Sequence, residues 1–172
     1  MPEIVKLTNP TAKDISELKE IYFESSTRKD FRDADDKEAF FQKYLGHYLT
    51  NYPQYVWVAK SDRILGYMVG VPETRNTELY RLQPHLGTFK AHFGEFPAHL
   101  HVNFHADARG MGLGSKLFSE LALEFQRMKI RGVHIMTSPD ARNKSFYQRL
   151  GFHFEVTLNF QGHTILLMGK SL

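Results

Sequence analysis

Apolar positions alternate with polar ones in some stretches of the chain and recur every third or fourth residue in others, and these two periods divide it into strands and helices. Residues 4–7 predict a short strand. Asn9, Pro10 and Thr11 read as a turn and helix cap, after which Ile15, Leu18, Ile21 and Tyr22 make a helical stripe ending near Ser25. Residues 26–36 are polar and predict a loop. Asp36 is positioned to cap a second helix running to Leu49, with Phe40, Phe41, Tyr44, Leu45 and Tyr48 on its apolar face. Residues 55–60 and 64–71 predict a hairpin about Ser61, Asp62 and Arg63. Thr77–Leu82 and Leu86–Phe93 predict two short helices broken at Pro84. In residues 98–104, Leu100, Val102 and Phe104 alternate with His99, His101 and Asn103, which predicts a strand. Leu117, Leu121, Phe125 and Met128 then mark an amphipathic helix over residues 115–129. Residues 133–137 predict a strand, 143–150 a short helix stopped by Gly151, and 152–159 with 164–169 a final hairpin around Gln161, Gly162 and His163. This order of elements describes one α/β domain over residues 1–172, a mixed sheet with helices on both faces, with residues 73–97 as a helical insertion.

Between the strand at 98–104 and the following helix stands Arg109-Gly110-Met111-Gly112-Leu113-Gly114. Glycines at a strand-to-helix passage let a ligand approach the backbone closely. The first amides of the helix have no internal partner, and with the positive end of the helix dipole they favour phosphate. The segment is not a dinucleotide fingerprint, because no acidic residue closes the next strand about 20 residues on. It is not a nucleotide-triphosphate loop either, because no Gly-Lys-Ser/Thr follows. The bland alternative is a tight turn that binds nothing.

Composition narrows the partners. The chain has 172 residues, 42% of them hydrophobic, which is enough for a core. Net charge is only +3 and the basic residues are scattered, so no nucleic-acid surface is implied, while an anionic cofactor is accommodated. The absence of cysteine excludes disulfides and a cysteine nucleophile and suits the cytoplasm, the expected location. The first residues, MPEIVKLTNP, lack the basic and apolar regions of a secretory leader, and no apolar run reaches the ~20 residues of a membrane span. His47, His85, His92, His105 and His163 show no metal-ligand spacing, so no metal is expected.

Arg109, Gly112 and Gly114 resemble the Arg/Gln-x-x-Gly-x-Gly/Ala signature of the GNAT superfamily of N-acetyltransferases. Asn143, followed by Phe146, Tyr147, Gly151 and Phe152, resembles its second signature, with a strand between the two. The resemblance covers residues 98–152 by motif and the remainder by element order. It implies a mostly antiparallel twisted sheet of roughly six to seven strands, splayed between the fourth and fifth. It implies acetyl-CoA as co-substrate and direct transfer to a small-molecule or peptide amine in a ternary complex. The pyrophosphate then falls to Arg109, Gly110, Met111, Gly112, Leu113, Gly114 and Ser115. The pantetheine arm falls to the backbone of Val102, Asn103 and Phe104, added like an extra strand, and to Asn143. In some members the asparagine stands where this chain has Asp140. Tyr147 matches the tyrosine that protonates the departing thiolate, and its alternative reading is a core aromatic beside Phe146.

The general base is left open by the residues. His99 and His101 lie two apart on one strand and share a face, and imidazole titrates near pH 6.5. The surroundings of these histidines are similar to the arylalkylamine N-acetyltransferases, whose paired histidines relay a proton through water, although the gap from His99 to Arg109 is one residue shorter here. A weaker similarity is to acetyltransferase-like domains associated with O-GlcNAc hydrolases, which have an aspartate at the position of Asn103. Glu95 and Asp107 are further alternatives, and the bland reading makes both histidines ordinary polar residues of a half-buried strand. The dense aromatics of the second helix are read as core packing, with a substrate-pocket wall as the functional alternative. The rival class is a non-catalytic acyl-CoA-binding module, against which Tyr147 speaks. Monomer and homodimer are equally compatible with the sequence.

Overall fold

The computed structural model describes residues 1–75 and 77–172. It contains a seven-stranded sheet in the order β1-β2-β3-β4-β5-β7-β6, built from β1 (Glu3–Lys6), β2 (Val56–Lys60), β3 (Ile64–Val71), β4 (Ala98–Phe104), β5 (Gly132–Thr137), β6 (Phe154–Phe160) and β7 (His163–Ser171). The recorded pairings are antiparallel except β4 with β5, which pair in parallel at Ala98↔Val133 and His99↔His134. The helices are α1 (Ala12–Ser25), α2 (Ala34–Phe41), α3 (His47–Asn51), α4 (Glu78–Leu82), α5 (Leu113–Arg127) and α6 (Lys144–Arg149). The fold is the mixed α/β architecture that the element order implies.

The chain divides into two compact units, Met1–Gly70 with His101–Leu121, and Val71–Leu100 with Ala122–Leu172. In the first, α1 begins at a capping box. Thr11 accepts from the Asp14 amide, and Asp14 returns a bond to the Thr11 amide. Asp14 also meets Lys60 on β2 at 2.8 Å. Leu18, Ile21, Phe41, Leu45, Val56, Val58, Ile64 and Tyr67 form the buried interior. The cap of α2 is Asp33, not Asp36 as the pattern suggested. Asp33 has extended backbone and accepts from the Asp36 amide, which leaves Asp36 to pair with Arg28 and Arg32. Two acids three residues apart offered either assignment, and the one that capped was the one with non-helical backbone. A π turn, Gln42–Gly46, joins α2 to α3, so the helical run that the sequence shows as one is three segments.

In the second unit Pro84–His92 is 3₁₀ rather than α-helix. Its Leu86 and Phe89 are buried, as are Leu79, Phe93 and Phe96, and the rings of His92 and Phe96 meet Phe154 on β6. Thr74 is anchored twice to the Pro97 carbonyl, by amide and hydroxyl, both at 2.9 Å. Among the described residues no helix is long and apolar enough to cross a membrane.

Candidate functional site

The first unit carries the glycine corner. After β4 a single 3₁₀ turn, Ala106–Ala108, leads to Arg109, and α5 starts at Leu113, two residues earlier than the apolar stripe indicates. Gly114 therefore lies in the first helical turn. Gly110 and Gly112 have φ of +81° and +73°, a conformation that side-chain-bearing residues rarely adopt. A Cβ at either would have no atom within 4 Å, so the space beside this backbone is open. The first helical bond runs from Lys116 to the Gly112 carbonyl at 3.4 Å. The amides of Leu113, Gly114 and Ser115 precede it and are those that a helix leaves without an internal acceptor. Met111 is half exposed, and Arg109 is exposed, with Nη2 donating to the Phe104 carbonyl at 3.3 Å. Such a corner can receive an anion by backbone amides, helix dipole and one guanidinium together.

The corner is braced from α1. Glu24 accepts from the Ala106 amide at 2.8 Å through one oxygen and meets His105 Nδ1 at 2.6 Å through the other. The bond to His105 holds the Glu24 carboxyl below its usual range. Nothing in the local sequence signals this contact, because the partners are 81 residues apart.

On β4 the side chains Val102, Asn103 and Phe104 are half-buried, as is His101. The His101 Nε2 lies 3.0 Å from the Tyr67 hydroxyl and 3.2 Å from Asn103 Nδ2, and Asn103 Nδ2 donates to the same hydroxyl at 2.8 Å. Tyr22 meets the ring of His101 edge-on at 6.2 Å. Burial lowers the His101 pKa to about 4, so the ring is neutral at pH 7. Phe104 packs across Gly66 on β3, where a Cβ would stand 2.0 Å from the aromatic ring. Asp107 is exposed and paired with Arg63.

The second unit holds the other expected residues. His99 is 7% exposed and its ring lies 4.9 Å from that of its β5 partner, His134. His134 is fully buried, stacks on Phe93, and donates from Nδ1 to the Phe96 carbonyl at 2.6 Å, and its Nε2 has no hydrogen-bond partner among the described residues. Burial pushes its pKa down to about 4. Tyr147 on α6 is 5% exposed and touches Phe146 and Phe152 edge-on. Burial raises its phenol above the ordinary range, so it keeps its proton at neutral pH. Asn143 precedes α6, exposed, and accepts from the Thr137 hydroxyl at 2.9 Å, which leaves its amide hydrogens to give. Asp140 is turned to Ser138.

Two neutral buried imidazoles set an acid limit on stability. Both have native pKa values near 4 against about 6.5 when unfolded, so the unfolded chain binds more protons between these values. Stability is complete above about pH 6.5 and falls as the pH drops toward 4, by on the order of 3 kcal/mol for each ring. Urea unfolding at pH 7 and at pH 5 measures the loss, and His134→Gln is expected to remove its share of that slope.

Sequence reasoning missed Tyr67, His134 and Glu24 at these positions. Tyr67 was read only as a residue of the predicted strand at 64–71, with no sign that this strand lies beside the histidines, and the other two gave none. Among the described residues no three His, Asp or Glu side chains gather as a metal site.

The sequence model of the family described as "Acetyltransferase (GNAT) domain" matches residues 53–154, more than half of the chain. Solved structures share the fold at low identity. A protein of Pyrococcus horikoshii OT3 is 16% identical, with 100% of this chain and 99% of that chain covered and a TM-score of 0.73. A Drosophila melanogaster polyamine N-acetyltransferase, which forms N-acetylagmatine, is 17% identical over 100% of both chains, at 0.66. A ribosomal-protein-alanine N-acetyltransferase from Brucella melitensis is 22% identical over 99% of both chains, at 0.64. No curated protein matches the sequence.

Proposed function

The chain belongs to the GNAT family of acetyltransferases, and from that premise we propose that it moves the acetyl group of acetyl-CoA directly to the nitrogen of a small-molecule or peptide amine. The observation that carries the co-substrate is the glycine corner, whose two left-handed glycines border open space ahead of the first helical bond. Those features suit a pyrophosphate, with Arg109, Gly110, Met111, Gly112, Leu113, Gly114 and Ser115 as its holders. The backbone of Val102, Asn103 and Phe104, with Asn143, takes the amides of the pantetheine arm.

Acetyl-CoA supplies a thioester carbonyl open to attack and a thiol as leaving group. A backbone amide of β4 polarises that carbonyl. Tyr147 gives its proton, or a hydrogen bond, to the departing sulfur. Its raised pKa does not defeat that role, because the same desolvation raises the pKa of a thiolate. The acceptor must attack as the free amine, so its proton leaves to water. Of the two histidines, His101 is the less enclosed and is assigned to orient that water, while His99, closed against His134, is assigned to packing. The structural neighbours that act on a polyamine and on a ribosomal-protein alanine support both acceptor classes.

Calorimetry with acetyl-CoA, followed by thiol-release assays over amines, aminosugars and peptides, tests the proposal. Binding with acceptor-dependent thiol release is the expected result. Binding without turnover on any acceptor would make the chain an acyl-CoA-binding module, and no binding would remove both readings.

A further inference from the structure

Tyr67, His101 and Asn103 form a closed triangle of polar atoms on β3 and β4, with separations of 3.0, 3.2 and 2.8 Å. The proton arrangement within it follows from the donor inventory. An asparagine Nδ2 only donates. It gives one hydrogen to the Tyr67 oxygen and faces His101 Nε2 with the other. Were Nε2 to carry a hydrogen, two N–H groups would oppose each other at 3.2 Å. With Nε2 as a lone pair the clash becomes an attraction, and the Tyr67 hydroxyl, having accepted from Asn103, donates to Nε2 in turn. All three contacts are then satisfied. Tyr67 is fully buried, so its hydroxyl does not escape to solvent. Among the described residues the groups recorded against the His101 ring are Tyr67 from β3, Asn103 from β4 itself and the Tyr22 ring from α1, none of them a carboxylate.

We infer that Tyr67 and Asn103 are positioning residues that hold His101 as a single neutral tautomer, with hydrogen on Nδ1 and Nε2 as acceptor. The inference rests on the acetyl-transfer reading and sharpens it. A ring so held is not a free base, because one nitrogen already bears hydrogen and the other is committed to two donors. It offers an Nδ1–H. That hydrogen can anchor a water by its oxygen, so the ring orders solvent in the site rather than taking a proton, and the acceptor enters as the free amine, its proton already lost to bulk solvent. The acceptor nitrogen then attacks the thioester, and His101 begins and ends each turnover neutral. The position of Asn103 thereby acts as a selector: an amide with Nδ2 toward Nε2 disfavours the imidazolium, whereas a carboxylate there would favour it.

Two-bond ¹⁵N–¹H spectra of the full chain labelled at histidine test this without reference to activity. At pH 7 the His101 signals are expected to show hydrogen on Nδ1 and bare Nε2, with no titration between about pH 5 and 8. In Asn103→Asp the hydrogen is expected to move to Nε2 and the midpoint to rise by more than one pH unit. The rate–pH profile of that variant should then gain an ionisation that the parent lacks. Tyr67→Phe should retain the parent tautomer, through Asn103 alone. A parent ring with hydrogen on Nε2, a parent midpoint near pH 6.5, or an Asn103→Asp ring unchanged in tautomer would overturn the inference. Spectra as expected in a protein that acetylates nothing would leave the tautomer lock standing and overturn the proposed reaction instead.

Discussion

A Gly112→Glu protein is expected to bind acetyl-CoA about 100-fold more weakly than the parent, a loss of about 3 kcal/mol. Two effects combine. Any side chain at φ +73° incurs the left-handed cost of roughly 1–2 kcal/mol, and a carboxylate there opposes a phosphate. The two are separable because a Cβ at this position meets nothing within 4 Å. Gly112→Ala carries the backbone cost without the charge and should stay within about tenfold of the parent. Calorimetry at fixed ionic strength, with thermal unfolding beside it, reads both variants. Unchanged affinity in Gly112→Glu would remove the pyrophosphate from this corner. Equal losses in the two variants would assign the effect to backbone strain.

The second large effect is kinetic. Tyr147→Phe should lower kcat by about 100-fold, within the range for a positioned acid, while leaving acetyl-CoA affinity as it was. The change is conservative in space. The ring keeps its edge-on contacts with Phe146 and Phe152, and its hydroxyl makes no hydrogen bond among the described residues. A fall in rate therefore cannot be ascribed to a broken structural bond. Steady-state kinetics with a verified acceptor, together with a thermal melt, decide it. A variant that turns over at the parental rate would return Tyr147 to the role of a core aromatic.

What could be read from the sequence follows the range of the interactions. The strand at β4, the glycine corner and the helix after it were legible because each is written in neighbouring residues: alternation, φ-permissive glycines, a three-to-four stripe. The family resemblance is carried by those same segments. Errors of detail also had local causes, as with Asp33 and Asp36, where two acids compete for one cap. Pairings across the sheet were not legible. That His99 meets His134 depends on the register of two parallel strands, and nothing in either strand states it. The triangle around His101 likewise needs β3 beside β4 in one register. The sequence read His99 and His101 as an equivalent pair on one face. The structure makes one a core residue and gives the other a hydroxyl and an amide for company.

The Glu24 brace bears on how the corner comes into being. Its carboxylate reaches a loop more than eighty positions downstream, and the entropy of closing so long a segment must be overcome before either bond forms. The shape of the signature loop thus rests on a distant part of the chain as well as on its own glycines. The stretch that bears the family's recognisable pattern begins at residue 53, after this glutamate. A fragment cut to that stretch would keep every diagnostic residue and yet leave His105 and the Ala106 amide without their carboxylate, so the motif is not a transplantable part.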